Sequence, residues 1–227
     1  MKHIKHIFFD LDHTLWDFDK NSELTFKHIF EKNNIDLNFE DFISGYEVIN
    51  LKYWKLYRNN EISKEDLRFK RLKEAFLHVS YNPEADVIHK VADDYITYLS
   101  TNTHLFDGTV EVLKELQLKY KLHIITNGFT EGQTKKMKNS GLSPYFITVT
   151  DAEMVGAKKP AAKIFDFALN VAGANKNESL MIGDSYEADI LGAVNYGLDA
   201  IFFNPKNQEN PQKITEVNHL LQLKNHL

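Results

Sequence analysis

Two carboxylates one residue apart, Asp10 and Asp12 in Asp10-Leu11-Asp12-His13-Thr14, follow directly on the apolar run Ile7-Phe8-Phe9. A buried strand ending there aims both at one point, where they repel and raise each other's pKa unless a cation or a shared proton neutralises them. Three later stretches place polar groups behind apolar runs: Thr126-Asn127-Gly128, Asp151 followed by Lys159-Pro160, and Gly183-Asp184-Ser185 with Asp189. In a parallel sheet all these strand ends share one edge. Carboxylates from two strands can then meet around one hard cation, and Mg²⁺ suits oxygen ligands, a few waters and a substrate phosphate. Asp10 and Asp184 are the expected side-chain ligands, with the Asp12 backbone carbonyl completing the shell. Asp10 could also attack, since a carboxylate can form a covalent aspartyl intermediate. Asp12 could protonate a leaving oxygen and later take a proton from water. Thr126 offers a hydroxyl, and the Asn127 and Gly128 amides ahead of a helix suit phosphate oxygens. Lys159 brings a cation to the start of another helix, converging on an anion whose charge spreads over equatorial oxygens. Phosphoryl transfer uses every one of these parts.

The elements that must position them are legible as an alternation. Apolar or β-branched runs at 4–9, 122–125, 146–149, 180–182 and 200–203 read as buried strands of a parallel sheet. Helical patterns at about 109–119, 131–139, 161–172 and 187–195 lie between the later ones, so the fold class is α/β, a doubly wound parallel sheet. Gly141, Gly173 and Gly197 each stand just past a helix. The stretch 17–104 breaks the rhythm with four helix-like segments and reads as an α-helical cap inserted into an α/β core of 1–16 and 105–227. Loops leaving the carboxyl ends of parallel strands surround the ligand crevice, so an insertion after the first strand is expected to act as a lid. The third cap segment opens on Ser63-Lys64-Glu65-Asp66, close to a capping box with Asp in place of Glu or Gln, and the fourth on Asn82-Pro83, a cap followed by proline at the first helical position. The tail from Pro211 is expected to add an edge segment at 214–217 and a terminal helix.

Composition narrows the function. The chain of 227 residues can bury a large core without staples, and its lack of cysteine excludes disulfides, thiol nucleophiles and thiolate zinc sites. A formal charge of −5, from 27 basic and 32 acidic residues, gives no footprint for a nucleic acid polymer, although local lysines can still hold a small anion. The apolar run before Asp10 is too short for a signal-peptide core and no stretch approaches membrane-spanning length, so a soluble, unprocessed, cytoplasmic protein is expected.

With Asp10-x-Asp12-x-Thr14, Thr126 with Asn127, Lys159 before Pro160, and Gly183-Asp184 with Asp189 in order, the chain resembles the haloacid dehalogenase-like hydrolases over essentially its whole length, specifically their phosphatases with a helical cap. The resemblance implies a Rossmann-like core, Asp10 as nucleophile and Asp12 as acid/base. It also implies Mg²⁺ bound by Asp10, the Asp12 carbonyl and Asp184, with Asp189 as an outer partner holding Lys159 or a metal-bound water. Leu15-Trp16-Asp17-Phe18 and Thr126-Asn127-Gly128-Phe129 are similar to the noncanonical pyrimidine 5'-nucleotidases, which implies a nucleoside 5'-monophosphate as substrate. Phosphatases of a sugar phosphate or phosphoglycolate, and phosphomutases, share the same catalytic residues. A 2-haloacid dehalogenase has no leaving oxygen for Asp12 to protonate.

Other residues have plainer readings. Lys158 reads as a surface lysine, Asp151 as a turn cap outside the site, and Asp17 and Asp19 as solvated loop acids. Tyr46, Tyr53, Trp54 and Tyr57 form an aromatic face on the second cap helix, for packing within the bundle or for stacking on a base. Trp16 and Phe18 are further candidates for stacking. His13 is expected to turn away from Asp10 and Asp12, and the ten histidines offer no metal-spaced pair.

Overall fold

The computed structural model describes residues 3–227, which divide into two compact units, one of residues 3–18 with Thr103–Leu227 and one of Asp19–Asn102. The first is an α/β unit. Its strands β1 (His6–Phe9), β2 (Lys121–Thr126), β3 (Thr148–Asp151), β4 (Ser179–Gly183), β5 (Asp199–Phe203) and β6 (Glu216–Val217) form one parallel sheet in the order β3-β2-β1-β4-β5-β6. β1 and β4 are buried along their whole lengths, as strands covered on both faces must be, which is why their sequences do not alternate. In register, Phe9 stands beside Ile124 and Ile182, and Thr126 beside Asp151, so the polar residues that end these strands share one edge. On one face Phe8, Ile125, Met181 and Phe202 pack against Ile164, Phe165 and Ala168 of a connecting helix.

The second unit is helical: α1 (Phe18–Asn33), α2 (Phe39–Arg58), α3 (Lys64–His78) and α4 (Ala85–Tyr98), α1 taking its first residue from the α/β unit. Phe26, Phe42, Tyr46, Phe76 and Tyr95 are buried at its centre, and Phe26 lies 4.6 to 5.2 Å from Tyr46, Tyr95 and Phe42. Tyr46 therefore packs inside the bundle. Tyr53, Trp54 and Tyr57 are half-buried, and Tyr53 donates its hydroxyl proton to Glu74. The remaining helices belong to the α/β unit: α5 (Thr109–Leu116), α6 (Thr130–Asn139), α7 (Ala152–Val155), α8 (Ala162–Ala172) and α9 (Gly192–Tyr196). Among the described residues no helix is long and apolar enough to cross a membrane.

Several local expectations are corrected. The fourth cap helix starts at Ala85, beyond Pro83, with Glu84 extended ahead of it and no side-chain cap; its first turn closes on Glu84 O, which accepts from the Val87 and Ile88 N–H groups. Ser63 does cap α3, accepting from the Asp66 N–H, but the Asp66 carboxylate turns to Lys70 at 2.9 Å in place of closing the box, being one methylene shorter than Glu. β3 runs at 148–151 where 146–149 was expected: Ile147 is 64% exposed, and Thr148 and Thr150 supply the β-branched residues that carry the strand to Asp151. The single helix expected at 187–195 is a wide π-type turn, Tyr186–Leu191, running into α9. The tail pairs only through Glu216–Val217, and its last helical segment is a 3₁₀ turn, Leu220–Asn225.

Candidate active site

Asp10 emerges from β1 with its N–H bonded to Ile182 O of β4 at 2.9 Å, at the point where strand order reverses. In doubly wound sheets that crevice is where ligands bind. The following residues fold back on themselves: the N–H groups of Leu15 and Trp16 both donate to Leu11 O, and His13 donates to Trp16 O. His13 adopts a left-handed φ of 63°, and its ring rests 4.8 Å from that of Phe18.

Lys159 is the centre of charge. It is 1% exposed, and Nζ donates to Asp10 Oδ1 (2.6 Å) and Ile125 O (2.6 Å) and pairs with Asp189 Oδ1 (2.7 Å). Its backbone is clasped by Asn127, whose Oδ1 accepts from the Lys159 N–H (2.8 Å) and whose Nδ2 donates to Lys159 O (3.0 Å). Both ends of the Asn127 side chain are thereby committed to holding Lys159, which leaves a phosphate contact at this residue to its backbone N–H. The Gly128 N–H is likewise taken, by Thr126 Oγ1 at 3.0 Å. That hydroxyl also accepts from Gln133 Nε2 at 2.7 Å, which leaves its own proton to donate to an anion.

Asp184 leaves β4 half-buried and accepts from Thr14 Oγ1 at 3.2 Å. Asp189 reaches back from the wide turn, its Oδ2 accepting from the Ser185 N–H at 3.0 Å. Gly183 makes this approach available, because a Cβ there would overlap the Asp189 carboxylate. One oxygen each from Asp10, Asp184 and Asp189 lie within 4.8 Å of one another. Burial pushes Asp10 up to about 7, with Asp189 and Asp12 adding repulsion against the pull of Lys159. Burial, then the charges of Asp10 and Asp189, hold Asp184 well above the usual carboxylate range. For Lys159 burial works against the charge, and the two carboxylates outweigh it and raise its pKa. Three carboxylates, Asp10 and Asp189 buried and Asp184 half-buried, against one ammonium, with hard oxygen donors facing each other, fit a divalent cation such as Mg²⁺.

Asp12 stands apart from this cluster. Its Oδ1 meets Lys136 Nζ at 2.5 Å and its Oδ2 meets Gln133 Nε2 at 2.8 Å, so its carboxylate is held by α6 and is not among the three that gather beside Lys159. Lys136 and Gln133 are the residues that reading the sequence missed. A signal was present: α6 carries Met137 as its only large apolar residue, so a helix packed on the sheet had to turn polar side chains inward. Asp151 caps α7 through Met154 N–H and accepts from Thr130 Oγ1, each at 2.9 Å, which accounts for its place at a strand end. Lys158, expected at the surface, is half-buried, and burial lowers its pKa.

Known proteins resemble this chain over nearly its whole length. The chain is 33% identical to the pyrimidine 5'-nucleotidase PynA of Streptococcus pneumoniae, over 91% of this chain and 86% of that protein. It is also 33% identical to the pyrimidine 5'-nucleotidase YjjG of Escherichia coli, over 92% and 89%. The crystal structure of the magnesium-bound HAD-hydrolase YfnB of Bacillus subtilis, described as revealing interdomain movement, superposes with a TM-score of 0.89 at 28% identity, covering 99% of this chain and 98% of that one. The sequence profile of the haloacid dehalogenase-like hydrolases matches residues 7–203, and the protein belongs to that family of enzymes.

Proposed function

We propose that the protein is a Mg²⁺-dependent phosphomonoesterase acting through phospho-Asp10, with pyrimidine nucleoside 5'-monophosphates as preferred substrates. The observation that carries the reading is the meeting of Asp10, Asp184 and Asp189 oxygens around buried Lys159, with Asp12 held separately one residue from Asp10. Mg²⁺, held by Asp10, the Asp12 carbonyl and Asp184, would offset the negative charge of carboxylates and phosphate. Asp10 attacks phosphorus as the bond from phosphorus to the leaving oxygen breaks, and Asp12 delivers a proton to that oxygen. Water then attacks the same phosphorus, Asp12 takes its proton, and the Asp10 carboxylate leaves. Lys159 keeps Asp10 ionised and oriented, Asn127 keeps Lys159 in place, Asp189 anchors the ammonium, and Thr126 donates to a phosphate oxygen. The names of PynA and YjjG favour pyrimidine nucleotides over other phosphomonoesters.

Phosphate release measured across pyrimidine and purine nucleoside monophosphates, sugar phosphates and phosphoglycolate tests this, each assayed with Mg²⁺ and with excess chelator. Pyrimidine monophosphates should be the fastest, and the chelator should remove turnover. Undiminished hydrolysis under chelation would overturn the mechanism. A sugar phosphate isomerised without free phosphate would turn the reading to a mutase.

A further inference from the structure

Lys136 is a buried cation that the steps above leave without a task. It is 5% exposed, and its Nζ lies 4.4 Å from the ring centroid of Trp16 and 5.2 Å from that of Phe18. Its charge partner is Asp12 Oδ1, while Gln133, one turn earlier on α6 and 2% exposed, donates Nε2 to Asp12 Oδ2 and to Thr126 Oγ1. Gly128 admits Gln133, because a Cβ at position 128 would overlap that side chain. Taking a lysine and a carboxylate out of water costs about as much as their attraction returns, so a pair of this kind is weak as a stabiliser. What it supplies is direction. A free carboxyl group turns about its terminal torsion, whereas one with a separate N–H donor on each oxygen is held in a single plane.

We propose that Lys136, with Gln133, is a positioning residue for Asp12, holding the carboxyl group in the orientation from which it protonates the leaving oxygen. This rests on the reading of Asp12 as acid/base. Gln133 extends the same frame to Thr126, so one face of α6 aligns the proton donor and a phosphate-facing hydroxyl together. The aromatic rings of Trp16 and Phe18 cover the ammonium and keep its attraction directed at Asp12.

The test compares two esters that differ in their need for a proton. A nucleoside monophosphate releases an alkoxide that must be protonated, whereas p-nitrophenyl phosphate releases a phenolate that leaves without help. The quantity to compare is kcat/KM, which covers only the steps through leaving-group departure. Lys136→Met should lower kcat/KM for the nucleotide by roughly a hundredfold and for the aryl ester by less than about tenfold. Lys136→Arg should recover part of the loss, and Asp12→Asn should show the same inequality between esters. Gln133→Leu should give a smaller version of the pattern, and it carries the comparison if Lys136→Met does not fold. Equal losses on both esters in a folded variant, or no loss on either, would overturn the inference and leave the phosphatase reading intact. A parent protein that hydrolyses neither ester overturns both.

Discussion

The strands β1, β2 and β3 hold buried polar side chains at both ends, and the two ends are built on opposite terms. Towards their amino ends His6 Nδ1 meets His123 Nε2 at 3.0 Å, and His123 Nδ1 meets Thr148 Oγ1 at 2.8 Å, one side chain from each strand. Burial, then the neighbouring His6 and Lys121, pulls His123 down to about 4, and burial also lowers His6, so this chain is neutral near pH 7. The His123 ring stacks on Phe8 at 4.7 Å and on His6 at 5.2 Å, as an aromatic core residue would. At the carboxyl ends the polar groups are acidic or basic: Asp10 and Asp189 share the single ammonium of Lys159, and Asp184 lies against both carboxylates. Neutral groups that satisfy one another can be buried at small net cost, whereas an unbalanced cluster of carboxylates is sustained by the rest of the fold and is open to a cation and an anionic substrate.

Replacement at the charged end should break activity and spare stability. Asp10→Asn removes the attacking oxygen, and kcat should fall by roughly a thousandfold or more in a steady-state assay with the best nucleotide. Its melting temperature should stay level or rise, since one of three mutually repelling carboxylates is gone. A variant that lost both activity and fold would erase the contrast between the two ends.

At the neutral end the expected effect is on stability and depends on pH. The folded pKa of His123, about 4, lies below its ordinary 6.5, so the unfolded chain takes up the proton first as pH falls. The His123 contribution to stability is therefore complete above pH 6.5 and is lost progressively between 6.5 and about 4. The loss at the acid limit is about 3 kcal/mol at most. Asp10 and Asp184, raised by burial, change stability in the opposite sense on acidification, so the His123 share is read by difference: the stability of the parent relative to His123→Asn, from urea unfolding at each pH, should fall across that window. The smallest effect is expected for Thr148→Val, which takes one hydrogen bond from the histidine chain and should cost about 1 kcal/mol with kcat unchanged.

How far the sequence could be read differs between backbone and side chains. Alternating apolar runs and helical patterns identified the five longer strands, and polar residues directly behind apolar runs marked Asp10, Asp12, Thr126, Lys159 and Asp184 as strand-end groups. Boundaries were less legible: α4 begins at Ala85, past the Asn82-Pro83 start signal, and Thr148 and Thr150 carried β3 past the apolar pair Phe146 and Ile147. The division of labour within the site was not legible. Asn127 has the polarity of a phosphate ligand and holds the backbone of Lys159, 32 positions away. Lys136 has the composition of a surface residue and lies beneath Trp16.

Order along the chain determined which residues reach the carboxyl edge of the sheet, because a helical crossover between strands returns the chain to run parallel to the strand it left, and parallel strands end on the same edge. Which charge answers which was decided only by the tertiary structure. Lys159 and Asp10 are 149 positions apart and Lys136 and Asp12 are 124 apart. A hydrogen bond forms only within about 3 Å and a narrow range of angles, so spacing along the chain carries no record of it.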